Sequence, residues 1–154
     1  ELLVVVAIIT MLMTIGLSSY SELMKRSRDT KRETDLRVIQ SALQQYYADR
    51  GIYPTEIASG SPLNINTGRG EKALIPSAFV RVYLSQIPSE PITGRDSYCY
   101  EAQPAGVPSC NNNVTTTPKI DCTSYKLYAQ LENLPTGSGI CGSGATYNRI
   151  VTSP

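Results

Sequence analysis

The sequence predicts an α+β chain: one long N-terminal α-helix, membrane-like in its first half, packed through its second half on a small antiparallel β-sheet head with disulfide-closed loops. Three observations carry this. An apolar run from Leu2 to Leu17 passes, with no strong helix breaker, into an amphipathic stretch that stops before Gly51 and Pro54. Beyond Tyr53 the composition turns to Gly, Pro, Ser, Asn and Thr, with short alternating segments between turn residues. All four cysteines lie in that second part.

Glu1 stands directly before the apolar run, which only Thr10, Thr14 and Gly16 interrupt. An ionised carboxylate at bilayer depth costs about 2.5–3.5 kcal/mol, so such a residue is expected to have a partner or a task. The sixteen residues Leu2 to Leu17 span about 24 Å as a helix, about one turn short of a bilayer core of about 30 Å. Either the run is a buried core helix, or a few apolar residues upstream of Glu1 complete a span. A cleaved signal peptide fits poorly, because no basic region precedes the run and no small-x-small pattern closes it.

From Ser21 the chain stays helix-compatible but polar. Asp29 and Glu33 alternate with Lys25, Arg26, Arg28, Lys31, Arg32 and Arg37, which reads as a solvated face with opposite charges three or four residues apart. A nucleic-acid patch over Lys25 to Arg37 is the sharper alternative, and the interleaved acids weigh against it. Leu36, Ile39, Leu43 and Tyr46 or Tyr47 then form an apolar stripe, and Gly51 as C′ residue ends the helix near Arg50. The weakest helical stretch is Gly16-Leu17-Ser18-Ser19. Three units follow: residues 1–20, the hydrophobic helix half; 21–52, the amphipathic half; and 53–154, the β-rich head.

In the head, Ala73 to Ile87 is expected to hold a short helix or turn docking Leu74, Phe79, Val82 and Leu84, with Val80 to Leu84 ambiguous. Strands are expected at Ser97 to Ala102, Ser124 to Leu131 and Thr146 to Thr152. Cys99, Cys110, Cys122 and Cys141 show no CxxC pair and read as disulfides in an oxidising compartment. Three connectivities are open; Cys99 with Cys110 and Cys122 with Cys141 are preferred because each closes a local loop. Gly137 to Gly144 looks like a phosphate loop but lacks the flanking strand, helix and GK[ST], and reads as a flexible connection. Asn113 heads an N-x-[ST] sequon, a candidate glycosylation site within a polar loop. The ten tyrosines are expected to serve packing.

The net charge of +1 and the absence of His and Trp remove a global field for nucleic acid and histidine-based catalysis. No catalytic group, metal or cofactor is expected, and the chain is not read as an enzyme.

Glu1-Leu2-Leu3-Val4-Val5-Val6-Ala7-Ile8-Ile9 resembles the N-terminal signature of type IV pilins and of the related pseudopilins of type II secretion systems. Arg32 to Leu43, Tyr46-Tyr47 and Gly51-Ile52-Tyr53-Pro54 resemble the end of their long helix. The resemblance is specific over about the first third of the chain and architectural afterwards. It implies a short leader removed by a prepilin peptidase, a methylated N-terminus, and a few residues ahead of Glu1. It implies that Glu1 pairs with a neighbour's terminal amine, and that Leu2, Leu3, Val4, Val5, Ala7, Ile8 and Ile9 pack in the centre of a helical homopolymer. Gly16 to Ser19 stands where many relatives carry a proline. The function implied is the major pilin of a surface type IV pilus for adhesion, twitching motility or DNA uptake, built by an assembly machinery from subunits that wait in the cytoplasmic membrane as single spans. A major pseudopilin is the alternative, set back because Asp121 and Glu132-Asn133 look too isolated for a calcium site. A monomeric membrane-anchored binding module is the third reading.

Overall fold

The computed structural model describes the whole chain except residues 69–79, 96–97, 106–108, 113–119, 136, 138, 143 and 154, and the side chains of 15–18. Helix α1 runs unbroken from Leu2 to Arg50, 49 residues, or about 74 Å at 1.5 Å per residue. It passes through Gly16–Ser19 without interruption. Gly51 ends it in the left-handed region (φ 69°), its N–H donating to the Tyr47 carbonyl at 2.7 Å, a conformation glycine adopts without Cβ strain. The stripe Leu36, Ile39, Ala42, Leu43 and Tyr46 is buried, each large side chain contributing about 1.5–3 kcal/mol on leaving water. Tyr46 takes the last position on that stripe; Tyr47 points outward and stacks on Tyr53 at 4.6 Å between ring centroids.

Among the described residues seven short strands follow: β1 Leu63–Asn64, β2 Val82–Leu84, β3 Cys99–Gln103, β4 Ser124–Ala129, β5 Gly139–Cys141, β6 Ala145–Tyr147 and β7 Arg149–Thr152. The three-stranded antiparallel sheet has the order β3-β4-β7, with Tyr100 opposite Leu127 and Leu127 opposite Val151. β1 pairs with β2 and β5 with β6, both antiparallel. The expected strand Thr146 to Thr152 is therefore two, one turning back to β5 and one joining the sheet. The ambiguous Val80 to Leu84 is strand β2 over Val82–Leu84, and Leu74 and Phe79 lie outside the described residues. Part of the glycine-rich run Gly137 to Gly144 forms β5.

β4 is the centre of the head. Tyr125, Leu127 and Ala129 alternate toward the helix and share one buried cluster with Leu36, Ile39, Leu43 and Tyr46. Tyr128 faces the other way, into a second cluster with Cys141 and Tyr147, covered by the β5–β6 hairpin. The head is thus layered as helix, sheet and hairpin.

That layering corrects the expected disulfide pairing. Cys99 bonds Cys141 and Cys110 bonds Cys122, so neither Cys99–Cys110 nor Cys122–Cys141 forms. Cys99 sits opposite Tyr128 in the ladder and packs against the hairpin cluster, where Cys141 lies. Cys110 and Cys122 belong to the helix-side cluster. The sheet separates the two pairs, and a local bridge would have to cross it.

Asn112, fully buried at φ 50°, closes the join between helix exit and head. Its amide donates to the carbonyls of Tyr53 (2.8 Å) and Gly68 (3.2 Å), and its oxygen accepts the Cys122 N–H at 2.9 Å. Asparagine is among the few residues that tolerate this backbone region. Gly68, at φ 55°, has the Thr55 nitrogen 2.6 Å from where a Cβ would stand, so no larger residue fits.

Nonreducing peptide mapping should recover the fragments Cys99–Cys141 and Cys110–Cys122. Losing the bridge over 42 residues should cost about 4 kcal/mol and the one over 12 about 3 kcal/mol in head stability, read by denaturant unfolding of Cys→Ser pairs.

Candidate assembly helix and the ionic cluster that mounts it

Every described side chain from Leu2 to Ser27 is exposed, so about 39 Å of α1 runs beyond the head. The exposure goes right round the helix: Leu3 is 85% accessible and Met11 70%, while Val6 and Ile9 still show nearly half their surface. A helix apolar on all sides belongs in a membrane or among other helices. By length and composition, α1 is long and apolar enough to cross a membrane. The two threonines in the run direct their hydroxyls inward. Thr10 donates to the carbonyls of Val6 (3.1 Å) and Ala7 (2.9 Å), and Thr14 to that of Thr10 (2.7 Å). Those hydroxyls therefore need no water, as an apolar surround requires.

The candidate assembly residues Glu1, Leu2, Leu3, Val4, Val5, Ala7, Ile8 and Ile9 all lie exposed in this part of the helix. Glu1 is the N-cap; its carbonyl accepts the Val5 N–H at 3.3 Å, while its carboxylate makes no capping bond.

The helix meets the head at a cluster of charges. Arg32 has 0% of its side chain exposed and is clamped by Glu90, Glu132 and Asp29. Its Nε donates to both Glu90 oxygens (3.0 and 3.1 Å), and its Nη1 to Asp29 Oδ1 (2.7 Å) and Glu132 Oε1 (3.0 Å). A further bond joins Arg32 Nη2 to Glu90. Arg28 grips Glu132 from the other side through two parallel bonds of 2.7 Å. Asp29 also accepts the backbone N–H groups of Glu132 (2.8 Å) and Asn133 (2.9 Å) and the Asn133 amide. Three carboxylates thus surround two guanidiniums, and every carboxylate oxygen has a donor. This saturates the cluster and makes it a clamp.

The protonation equilibria follow from these contacts. The Arg28 bonds, with help from Arg32, outweigh desolvation and hold the Glu132 carboxyl down at about 2. Burial pushes the Asp29 carboxyl up, but the N–H donors of Glu132 and Asn133, Arg32 and the Asn133 amide together bring it below its usual range. Burial pulls the Arg32 guanidinium down, and its bonds to Glu90, Glu132 and Asp29 more than reverse this. Two further acids on α1 reach the head: Asp35 accepts from the Tyr98 hydroxyl, and Asp49 from that of Tyr83, both at 2.8 Å.

The sequence reading of Lys25 to Arg37 as a solvated face holds for Lys25, Arg26, Lys31 and Arg37, which are exposed, and fails for Arg28, Asp29 and Arg32. The signal was present in the spacing. Arg32 lies four residues before Leu36 and Asp29 seven before it, on the same face as the apolar stripe. All four cysteines are bonded, and the sequon at Asn113 lies outside the described residues.

Replacing Arg32 with Met should destabilise the head by about 3–5 kcal/mol, because three partly buried acids lose their common cation. Since Glu132 and Asp29 titrate lower in the folded head than in the unfolded chain, their stabilisation is complete above about pH 4.5 and is lost as pH falls toward about 2. Melting temperature against pH should show that loss, and Glu132→Gln should flatten it.

No family model, curated protein or solved structure matches the chain.

Proposed function

We propose that the chain is the major structural subunit of a type IV pilus, a helical homopolymer held together by its apolar N-terminal helices. One observation carries the reading: an all-round apolar helix segment, exposed at every described side chain and preceded by Glu1, continues a helix whose other half is locked into a disulfide-bonded head. Such a segment is complementary to lipid before assembly and to copies of itself afterwards. Repeated head-to-tail contacts that do not close a ring generate an open filament. Within it Glu1 would offset its burial by pairing with a neighbour's amine, which also sets axial register. The head's disulfides fit an extracytoplasmic location, and the resemblance of Glu1 to Ile9 to the pilin signature supports the same assignment. No chemistry of catalysis enters this reading; its partners are identical subunits, the membrane, and the peptidase and assembly machinery that the resemblance implies.

Electron microscopy of native material should show helical filaments, and monomers alone would sink the proposal in favour of a membrane-anchored binding module. Glu1→Ala should lower filament yield at least about tenfold at an unchanged membrane level of subunit, the effect of an unpaired buried charge. Calcium separates the pilin from the pseudopilin reading. Asp29, Glu90 and Glu132 direct their oxygens to arginines and N–H donors, so added calcium should leave the melting temperature unchanged; a rise of several degrees would favour the pseudopilin.

A further inference from the structure

Two grooves open on either side of the turn Leu131–Leu134, at the end of the head from which the exposed part of α1 departs. One, of about 440 Å³, has Arg26 and Arg149 among its lining; the other, of about 240 Å³, has Lys25, Arg95 and Gln130. The turn between them is fixed by Asn148, whose amide donates to the carbonyls of Leu131 (2.8 Å) and Leu134 (3.2 Å) and whose oxygen accepts the Leu131 N–H (2.7 Å). Leu131 is buried, and Leu134 stands out from the turn with 44% of its surface exposed.

The charges around this turn are sorted. Asp29 and Glu132 line the grooves, but their oxygens are held by Arg28, Arg32 and backbone N–H groups. Glu22 lies beside Arg26 at 3.7 Å, and Glu33 lines the first groove. Lys25, Arg95 and Arg149 are exposed. The first groove balances its bases with acids, but the second, where Glu132 is already paired with Arg28 and Arg32, is left with the charges of Lys25 and Arg95, the composition of a surface that meets an anionic interface.

Its height matches. Lys25 lies eight residues beyond Leu17, the end of the apolar run, which is about 12 Å along the helix. Helical side chains lean toward the N-terminus, here toward the bilayer, and a lysine stem extends that reach. The headgroup layer is about 5–7 Å deep on each side, so the ammonium group arrives at it. Arg95 shares the groove of Lys25, whereas Arg149 also lines a groove beside Leu36 and Gln40, further along the helix.

We propose that this end of the head docks on anionic phospholipid headgroups, with a lipid phosphate seated in the second groove between Lys25 and Arg95. The proposal rests on α1 being a membrane span. Docking holds the waiting subunit upright, and the contacts are given up when it leaves the bilayer.

The test uses the full chain in lipid nanodiscs of phosphatidylcholine alone or with added phosphatidylglycerol, followed by backbone hydrogen exchange. Phosphatidylglycerol should slow exchange of Gln130–Leu134 and Ile92–Arg95 by about tenfold, with the β3–β4 ladder unchanged. The variant Lys25→Gln/Arg95→Gln should lose that slowing while keeping the ladder protected. Equal exchange in the two lipids would overturn the docking surface while leaving the span intact. Equal slowing by inorganic phosphate in neutral discs would assign the groove to a soluble anion and overturn it too. A chain that enters neither disc would overturn the span itself and the docking with it.

Discussion

The burial of Arg32 is the constraint on which the rest of the structure depends. A guanidinium with no exposed surface is untenable alone, and it is held here because three carboxylates share it. Its partners come from three places: Asp29 on the preceding turn of α1, Glu90 between β2 and β3, and Glu132 after β4. Glu90 and Glu132 lie 58 and 100 residues away in sequence. The cluster therefore forms only when helix, inter-strand loop and sheet are already together, and it makes their docking cooperative. Because it sits at the head's last grip on the helix, it also sets the direction in which the free segment leaves.

The remainder of the head divides at its sheet. On one face the apolar stripe of α1 covers Tyr125, Leu127 and Ala129, with the Cys110–Cys122 bridge sealing the edge of that cluster beneath Asn112. On the other, the β5–β6 hairpin is too short to hold itself down, and Cys99–Cys141 ties it over Tyr128, against which its own Tyr147 packs. A head of this size buries a limited core, so cross-links substitute for the apolar area it lacks.

This division explains what the sequence could disclose. The end of α1 is local chemistry, a glycine in the left-handed region followed by a proline, and it falls where the residues put it. The sheet strands announced themselves by alternation, because one face of each meets the helix. Disulfide connectivity did not, since proximity along the chain says nothing about which face a cysteine occupies: Cys99 faces the hairpin and Cys110 the helix, although eleven residues separate them. The ionic clamp was hidden for a related reason. Arg32 and Asp29 looked like members of an alternating solvent face, and only the acids delivered by distant loops turn that face inward. The exposed apolar half of α1, by contrast, was legible at once, because its signal is composition and it packs on nothing among the described residues.

That last property has an energetic consequence on the filament reading. Lipid tails are as apolar as leucine, so moving Leu2 to Met13 from bilayer to helix bundle gains little from the hydrophobic effect. What favours the transfer must be packing, polar contacts and whatever the head contributes. The threonine hydroxyls do not compete, because they are satisfied within the helix in either surround. Glu1 is the residue whose state changes most between the two, costly in lipid and compensated only where a positive charge is held beside it. An acid beside an otherwise indifferent apolar run thus converts a near-neutral exchange of solvents into a directed one, provided that the rigid clamp at Arg32 delivers that run to a fixed place.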